Sequence, residues 1–168
     1  MSKRFGAVLA IAGFLVLAGP ASAQYVQVGA SIPLSDFGDF ADTGWLAAGG
    51  WLFLDAGPLS IGPEVYYGSN GHTESDDKTN LFGANAVVEL GFGEDDSVNA
   101  FIFGTLGWLN HQYSPETGDG DTDSGVSFGG GAGAGLPVGL YIEGRFLTAS
   151  IDDFATAIFA ISVGWGVG

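Results

Sequence analysis

The chain has no cysteine among its 168 residues. A protein of this kind holds no disulfide, so its fold alone must stabilise it. Positive charge is nearly as scarce. Lys3, Arg4, Lys78 and Arg145 are the only lysines and arginines, against 19 acidic residues. That balance excludes nucleic-acid binding and any basic face for docking on phosphates. After the N-terminal segment there is no helical period and no apolar run near the about 20 residues that a membrane-crossing helix needs. Yet mean hydropathy is positive, +0.31, and hydrophobic residues make up 46%. Charge and apolar surface must therefore be segregated along the chain.

What is present begins with "MSKRFGAVLAIAGFLVLAGPASAQ". Lys3 and Arg4 precede an apolar stretch, Phe5 to Ala18, and Ala21-Ser22-Ala23 offers a small-residue cleavage site. This is the three-part pattern of a secretory signal peptide, residues 1–23, cleaved after Ala23. The remaining 24–168 is one domain by length. It keeps Lys78 and Arg145 against all 19 acidic residues, a formal charge of −17.

Period two dominates this domain. Val26, Val28, Ala30 and Ile32 alternate with Gln27, Gly29 and Ser31. The same alternation runs through Leu59 to Tyr67, Phe82 to Leu90, Val126 to Leu136, Leu140 to Leu147 and Ala157 to Trp165. Segments 44–55 and 98–110 are strand-like but apolar on both faces, so their facing is open. The sum is eight strands, and their connections alternate in length. Ser35 to Thr43, Asn70 to Thr79 and His111 to Ser124 are long; Ala56 to Pro58, Glu94 to Ser97 and Pro137-Val138 are short; Ile151 to Phe154 is short to moderate. The acidic residues gather in the connections. The expected fold is all-β, an eight-stranded up-and-down antiparallel transmembrane barrel.

Which face meets solvent is decided by counting charge. Away from the strand ends only Glu64, Glu89, Glu143 and Arg145 are charged. These cannot clothe a water-soluble barrel, whose surface is about 25–35% charged. They suffice for an interior, so the apolar set is expected to face lipid. The alternative is a soluble, secreted lipocalin-like ligand-binding barrel with the faces reversed. Arg145 then points inward, and a buried guanidinium needs carboxylate partners. The expectation is an interior ion-pair cluster of Arg145 with Glu143, Glu89 and Glu64. Small inward residues, notably Gly129, Gly131, Gly133 and Gly135, leave room for Tyr66, Tyr141 and Arg145. Trp45, Tyr67, Trp108, Tyr113 and Trp165 are candidates for interfacial girdles.

Chemistry-bearing candidates are few. An eight-stranded barrel is filled by its own side chains, which argues against a general pore and leaves a narrow-pore channel as an alternative. His72 and His111 fall in connecting segments, and Ser114 near His111 has no orienting acid, so no enzyme is expected. "DGDTDSG" sets Asp119, Asp121 and Asp123 at alternate positions, like the start of a calcium loop. Ser124 stands where the turn glycine belongs and Gly130 where the closing glutamate belongs, so at most weak calcium binding is expected, and no cofactor.

The signal segment, the "GGGAGAGLPVGLYIEGRF" hairpin and the glycine-rich last strand resemble the small outer-membrane β-barrels of the OmpA/OmpX type, including opacity-like surface proteins. The resemblance covers the mature chain and places Tyr141 to Phe146 in the penultimate strand. It implies Gram-negative outer-membrane insertion by the barrel-assembly machinery. The expected partners are outer-membrane lipid and lipopolysaccharide, with weak divalent-cation binding at the acidic loops because lipopolysaccharide phosphates would otherwise repel them, and a monomer is expected. The function the resemblance suggests is structural or surface interaction. Such proteins commonly end on an aromatic residue; here Trp165 is followed by Gly166-Val167-Gly168.

Overall fold

Alternating apolar and small polar residues build a sheet with two unlike faces, and this sheet closes on itself. The computed structural model describes residues 24–93, 98–116, 119–151 and 154–167. The signal segment, its cleavage site, the Glu94 to Ser97 turn and Asp152-Asp153 lie outside the described residues. In chain order the elements are β1 (Gln24–Leu34), a short helix α1 (Ser35–Gly38), β2 (Gly44–Trp51) and β3 (Leu54–Ala56). Then follow β4 (Leu59–His72), β5 (Ser75–Phe92), β6 (Asn99–Ser114), β7 (Thr122–Gly135), β8 (Leu140–Ile151) and β9 (Phe154–Val167). β4 to β9 pair antiparallel in sequence order, β9 pairs with β1, and β1 with β2. Both β2 and β3 pair with β4, so they are two pieces of one barrel strand and the sheet closes with eight.

The barrel is inside-out relative to a soluble one. Val28, Leu106, Val126, Ile142 and Val163 are each more than half exposed. On the opposite faces Gln27, Glu64, Asn85, Ser127, Glu143, Arg145 and Ser162 are buried. A lipocalin-like arrangement needs the reverse, so that alternative falls. The two segments of open facing are also resolved. Trp45, Ile102, Leu106 and Trp108 point outward, while Leu46, Phe103, Thr105 and Leu109 point inward. On β5 the outward apolar set runs from Phe82 to Phe92, matching the about 9–11 residues of a tilted membrane-spanning strand.

Beyond this belt the strands continue. The segment Asn70 to Thr79, expected as a long loop, is mostly ladder, and His111 to Ser124, also expected as one, is ladder over its two ends. β4 reaches His72, β5 begins at Ser75, β6 ends at Ser114 and β7 begins at Thr122. Outside lipid the backbone ladder no longer needs apolar alternation, so the pattern that marks strands in sequence fades while the pairing persists. The belt's upper edge is polar and aromatic. Trp45 packs on Tyr67, whose hydroxyl donates to Asn80 Oδ1, and Asn80 Nδ2 donates to Ser114 Oγ. Phe82 and Trp108 continue the girdle, and Trp165 stands on the outer face at the other end. Tyr113 does not belong to it. It shares the inward face of β6 with Leu109 and His111, stacks on His72 and donates to Asp77 Oδ2 at 2.6 Å.

Candidate functional site

Arg145 is 2% exposed and sits at the centre of the lumen's polar layer. Its Nη1 and Nη2 donate to the two oxygens of Glu64 at 2.5 and 2.7 Å, a bidentate fork, and its Nε donates to Glu143 Oε1 at 2.8 Å. Both carboxylates accept further bonds. The Tyr25 hydroxyl donates to Glu64 Oε2 at 2.9 Å and Asn85 Nδ2 to Glu64 Oε1 at 3.4 Å. Gln27 Nε2 donates to Glu143 Oε1 at 3.3 Å, and the Tyr141 hydroxyl donates to Gln27 Oε1. The guanidinium also lies 4.9 Å from the centre of the Phe103 ring. This satisfies the requirement that a desolvated charge be both paired and hydrogen-bonded.

Glu89 stands apart from this cluster. Arg145 spends its donors on Glu64 and Glu143, and Glu89 instead faces a cavity beside them. The register explains the difference. Glu64 lies opposite Asn85 on β5, so Glu89 is displaced four residues along its strand from that layer.

Glycine makes the layer possible by a repeated device. Tyr25 lies opposite Gly50, Tyr66 opposite Gly83, Phe103 opposite Gly131, Phe101 opposite Gly133 and Tyr141 opposite Gly164. In each pair a Cβ on the glycine would run into the partner's ring. Five aromatic rings thus fold flat over neighbouring strands inside a narrow barrel.

Above the charged layer a large apolar cluster fills the lumen, beside the buried Ser31, Asn70, Thr79 and Thr156. Leu46, Tyr66, Leu81, Leu109, Leu147 and Ile158 form a buried plug. Phe37 of α1 is fully buried and caps it, edge-on to Phe40 and to His111. Below the layer is a cavity of about 220 Å³ near the end that carries Gln24 and Gly166. It is blind, because Arg145 and Glu143 line its inner end and the plug lies behind them.

The remaining candidates are not brought together. His72 Nε2 is 2.9 Å from Thr79 Oγ1, and Ser114 accepts from Asn80. Asp123 lies within β7 opposite His111, while Asp121 Oδ1 accepts from the Thr122 N–H. Among the described residues no group of three or more His, Cys, Asp or Glu side chains is placed to hold a metal ion. Asp119 and Asp121 precede β7 while Asp123 lies within it, whereas a calcium loop must curl all three around the ion.

Sequence reasoning missed Tyr25, Gln27, Asn85 and Phe37. The first three share the inward parity of their strands, which was a usable signal. Phe37 had none, because a short helix folding into the barrel mouth leaves no periodic mark.

The fold is shared with known outer-membrane proteins. A model of the "Outer membrane protein beta-barrel domain" matches residues 6–166. No curated protein matches the sequence. Among solved structures, the attachment invasion locus protein Ail of Yersinia pestis is similar at a TM-score of 0.58 and 11% identity, over 88% of this chain and 100% of that one. The N-terminal β-barrel domain of Pseudomonas aeruginosa OprF is similar at 0.58 and 12%, over 89% and 100%. The outer membrane enzyme PagL is similar at 0.53 and 16%, over 87% and 99%. Such identities speak to fold alone. With its family-model match over most of the sequence and its closed, inside-out barrel, the chain belongs to the outer membrane protein β-barrel family.

Proposed function

We propose that this protein is a structural or surface-interaction barrel of the outer membrane, with a filled interior and acidic loops turned outward. The observation that carries this reading is the closed lumen. The Arg145–Glu64–Glu143 layer and the buried cluster under Phe37 lie across the lumen one above the other, which supports a barrel without a passage from end to end. The end carrying Gln24 and Gly166 is taken as periplasmic, since the strands stop there with the lipid belt. At the other end β5 and β6 extend past the belt and carry Asp76, Asp77 and, beyond β6, Glu116. Asp36, Asp39 and Asp42 lie on the same side, in and after α1.

A surface this acidic repels lipopolysaccharide phosphates unless divalent cations bridge the two. Outer-membrane lipid, lipopolysaccharide and bridging cations are therefore the proposed partners, with the assembly machinery met during insertion and the barrel itself monomeric. Ail has been seen with the heparin analogue sucrose octasulfate; the acidic loops here do not suit a polyanion without such cations. The reading is non-enzymatic, because the Ser114 hydroxyl is met by the Asn80 amide, which cannot serve as a general base.

Conductance across a planar lipid bilayer tests this. A closed barrel gives no unitary steps above the bare membrane at neutral pH. Stable ohmic steps would replace this reading with a narrow-pore channel.

A further inference from the structure

The cavity below the charged layer has chemistry that the closed-barrel reading does not use. Its volume, about 220 Å³, is room for about seven waters at the liquid's share per molecule. Tyr25, Tyr141, Phe101 and Phe103 supply its walls, and Glu89 enters from β5. Among the described residues no hydrogen bond or ion pair reaches the Glu89 carboxylate. Across Glu64, Glu89, Glu143 and Arg145, three carboxylates face one guanidinium, so the lumen carries an excess of negative charge.

An anion is repelled by that excess. A bare divalent cation needs about 6–8 oxygen ligands, and the cavity offers one unengaged carboxylate among aromatic rings. An organic cation meets both features at once, donating to the carboxylate while its alkyl portion and positive charge rest on ring faces. We propose that this cavity binds a small primary ammonium ion, a short alkylamine or diamine, anchored by Glu89. The ammonium sits between Glu89 and the Tyr141 and Phe101 rings, and the alkyl tail lies toward Leu52 and Val87. The site is independent of the surface role, since it opens at the opposite end from the acidic loops.

Calorimetric titration of the refolded full chain with butylammonium chloride tests this, in neutral detergent without lipid and at constant ionic strength. The expected result is saturable one-site binding that Glu89→Gln weakens at least about tenfold. Glu74→Gln makes the same charge change on the outer hairpin turn and leaves the affinity unchanged. Val87→Phe fills the cavity with Glu89 intact and also blocks binding, which guards against a folding defect peculiar to Glu89→Gln. Sodium butyrate gives no saturable heat. The proposal fails if butylammonium gives no saturable heat at millimolar concentration, if the two glutamine variants weaken binding equally, or if butyrate binds as well. Appearance of binding only after phosphatidylethanolamine is added would also overturn it, by moving the site to a lipid headgroup.

Discussion

Arg145 on β8 and Glu64 on β4 stand four strands apart whichever way round the barrel one counts, so their ion pair spans the lumen along a diameter. One side chain from each half of the wall thus meets the other at the centre. The pair ties opposite walls together, which no ladder hydrogen bond does.

Removing one partner should therefore cost more than removing both. Arg145→Leu leaves two buried carboxylates without their cation, a loss of about 3–5 kcal/mol. Adding Glu64→Leu should recover part of that loss, because an apolar pair of similar volume replaces two of the three charged members of the cluster. Urea unfolding of refolded protein, followed by the gel shift between unboiled and boiled samples, measures both. Strictly additive losses would mean that the two side chains are not coupled.

The glycine–aromatic pairs predict a clash that can be relieved. Gly164→Ala places a methyl against the Tyr141 ring and should destabilise the barrel by about 1–3 kcal/mol. In a Tyr141→Ser background the same substitution should be nearly neutral. An equal penalty in both backgrounds would assign the glycine to backbone geometry instead.

Phe37 predicts a local effect. It is fully buried at the barrel mouth, so Phe37→Ala should ease opening of α1 by about 3–5 kcal/mol. Hydrogen exchange at the Ala41 amide, which donates to the Phe37 carbonyl, should accelerate accordingly. Conductance should stay absent, because the charged layer closes the lumen beneath. Unchanged exchange at Ala41 would mean that α1 is held by something other than this ring.

Asp77 and Tyr113 predict a pH window for the strand extension above the membrane. The Tyr113 hydroxyl, together with the Glu116 N–H, holds the Asp77 carboxyl below its ordinary 3.8. The same hydrogen bond to Asp77 raises the Tyr113 hydroxyl above its ordinary 10.0. The carboxylate's contribution is present above its ordinary value and is lost as pH falls through its depressed folded value. The hydroxyl's contribution is present below its ordinary value and is lost as pH rises through its raised one. Order at the Glu116 amide, read by NMR, should be flat between those limits and fall at both extremes. Asp77→Asn should remove the acid limb. An acid limb that survives in Asp77→Asn would assign it to another group.

Much of this was legible from parity alone. In Leu140 to Leu147 the alternation sets Ile142 and Phe146 on one face and Glu143 and Arg145 on the other, and that is how they lie. Which distant carboxylate meets Arg145 was not legible. It depends on the stagger between strands, and Glu64 and Glu89 share the same inward parity. Stagger is fixed by closure of the whole ring, which no local pattern encodes. The strand extensions were hidden for a different reason. Above the lipid belt the outward face of Asn70 to Thr79 needs no apolar residue, and its inward face buries Asn70 and Thr79 in polar contacts, so the apolar alternation is lost while the backbone still pairs.

The central claim is that the apolar faces meet lipid and the charged ones are sealed inside. The absence of cysteine makes single-cysteine labelling in reconstituted vesicles the most direct measurement. Val28→Cys, Ile142→Cys and Val163→Cys should resist a water-soluble maleimide and react with a bilayer-soluble one, while Glu74→Cys on the outer turn reacts readily with the water-soluble reagent. Rapid water-soluble labelling at the three belt positions, with lipid-soluble labelling absent, would contradict the account.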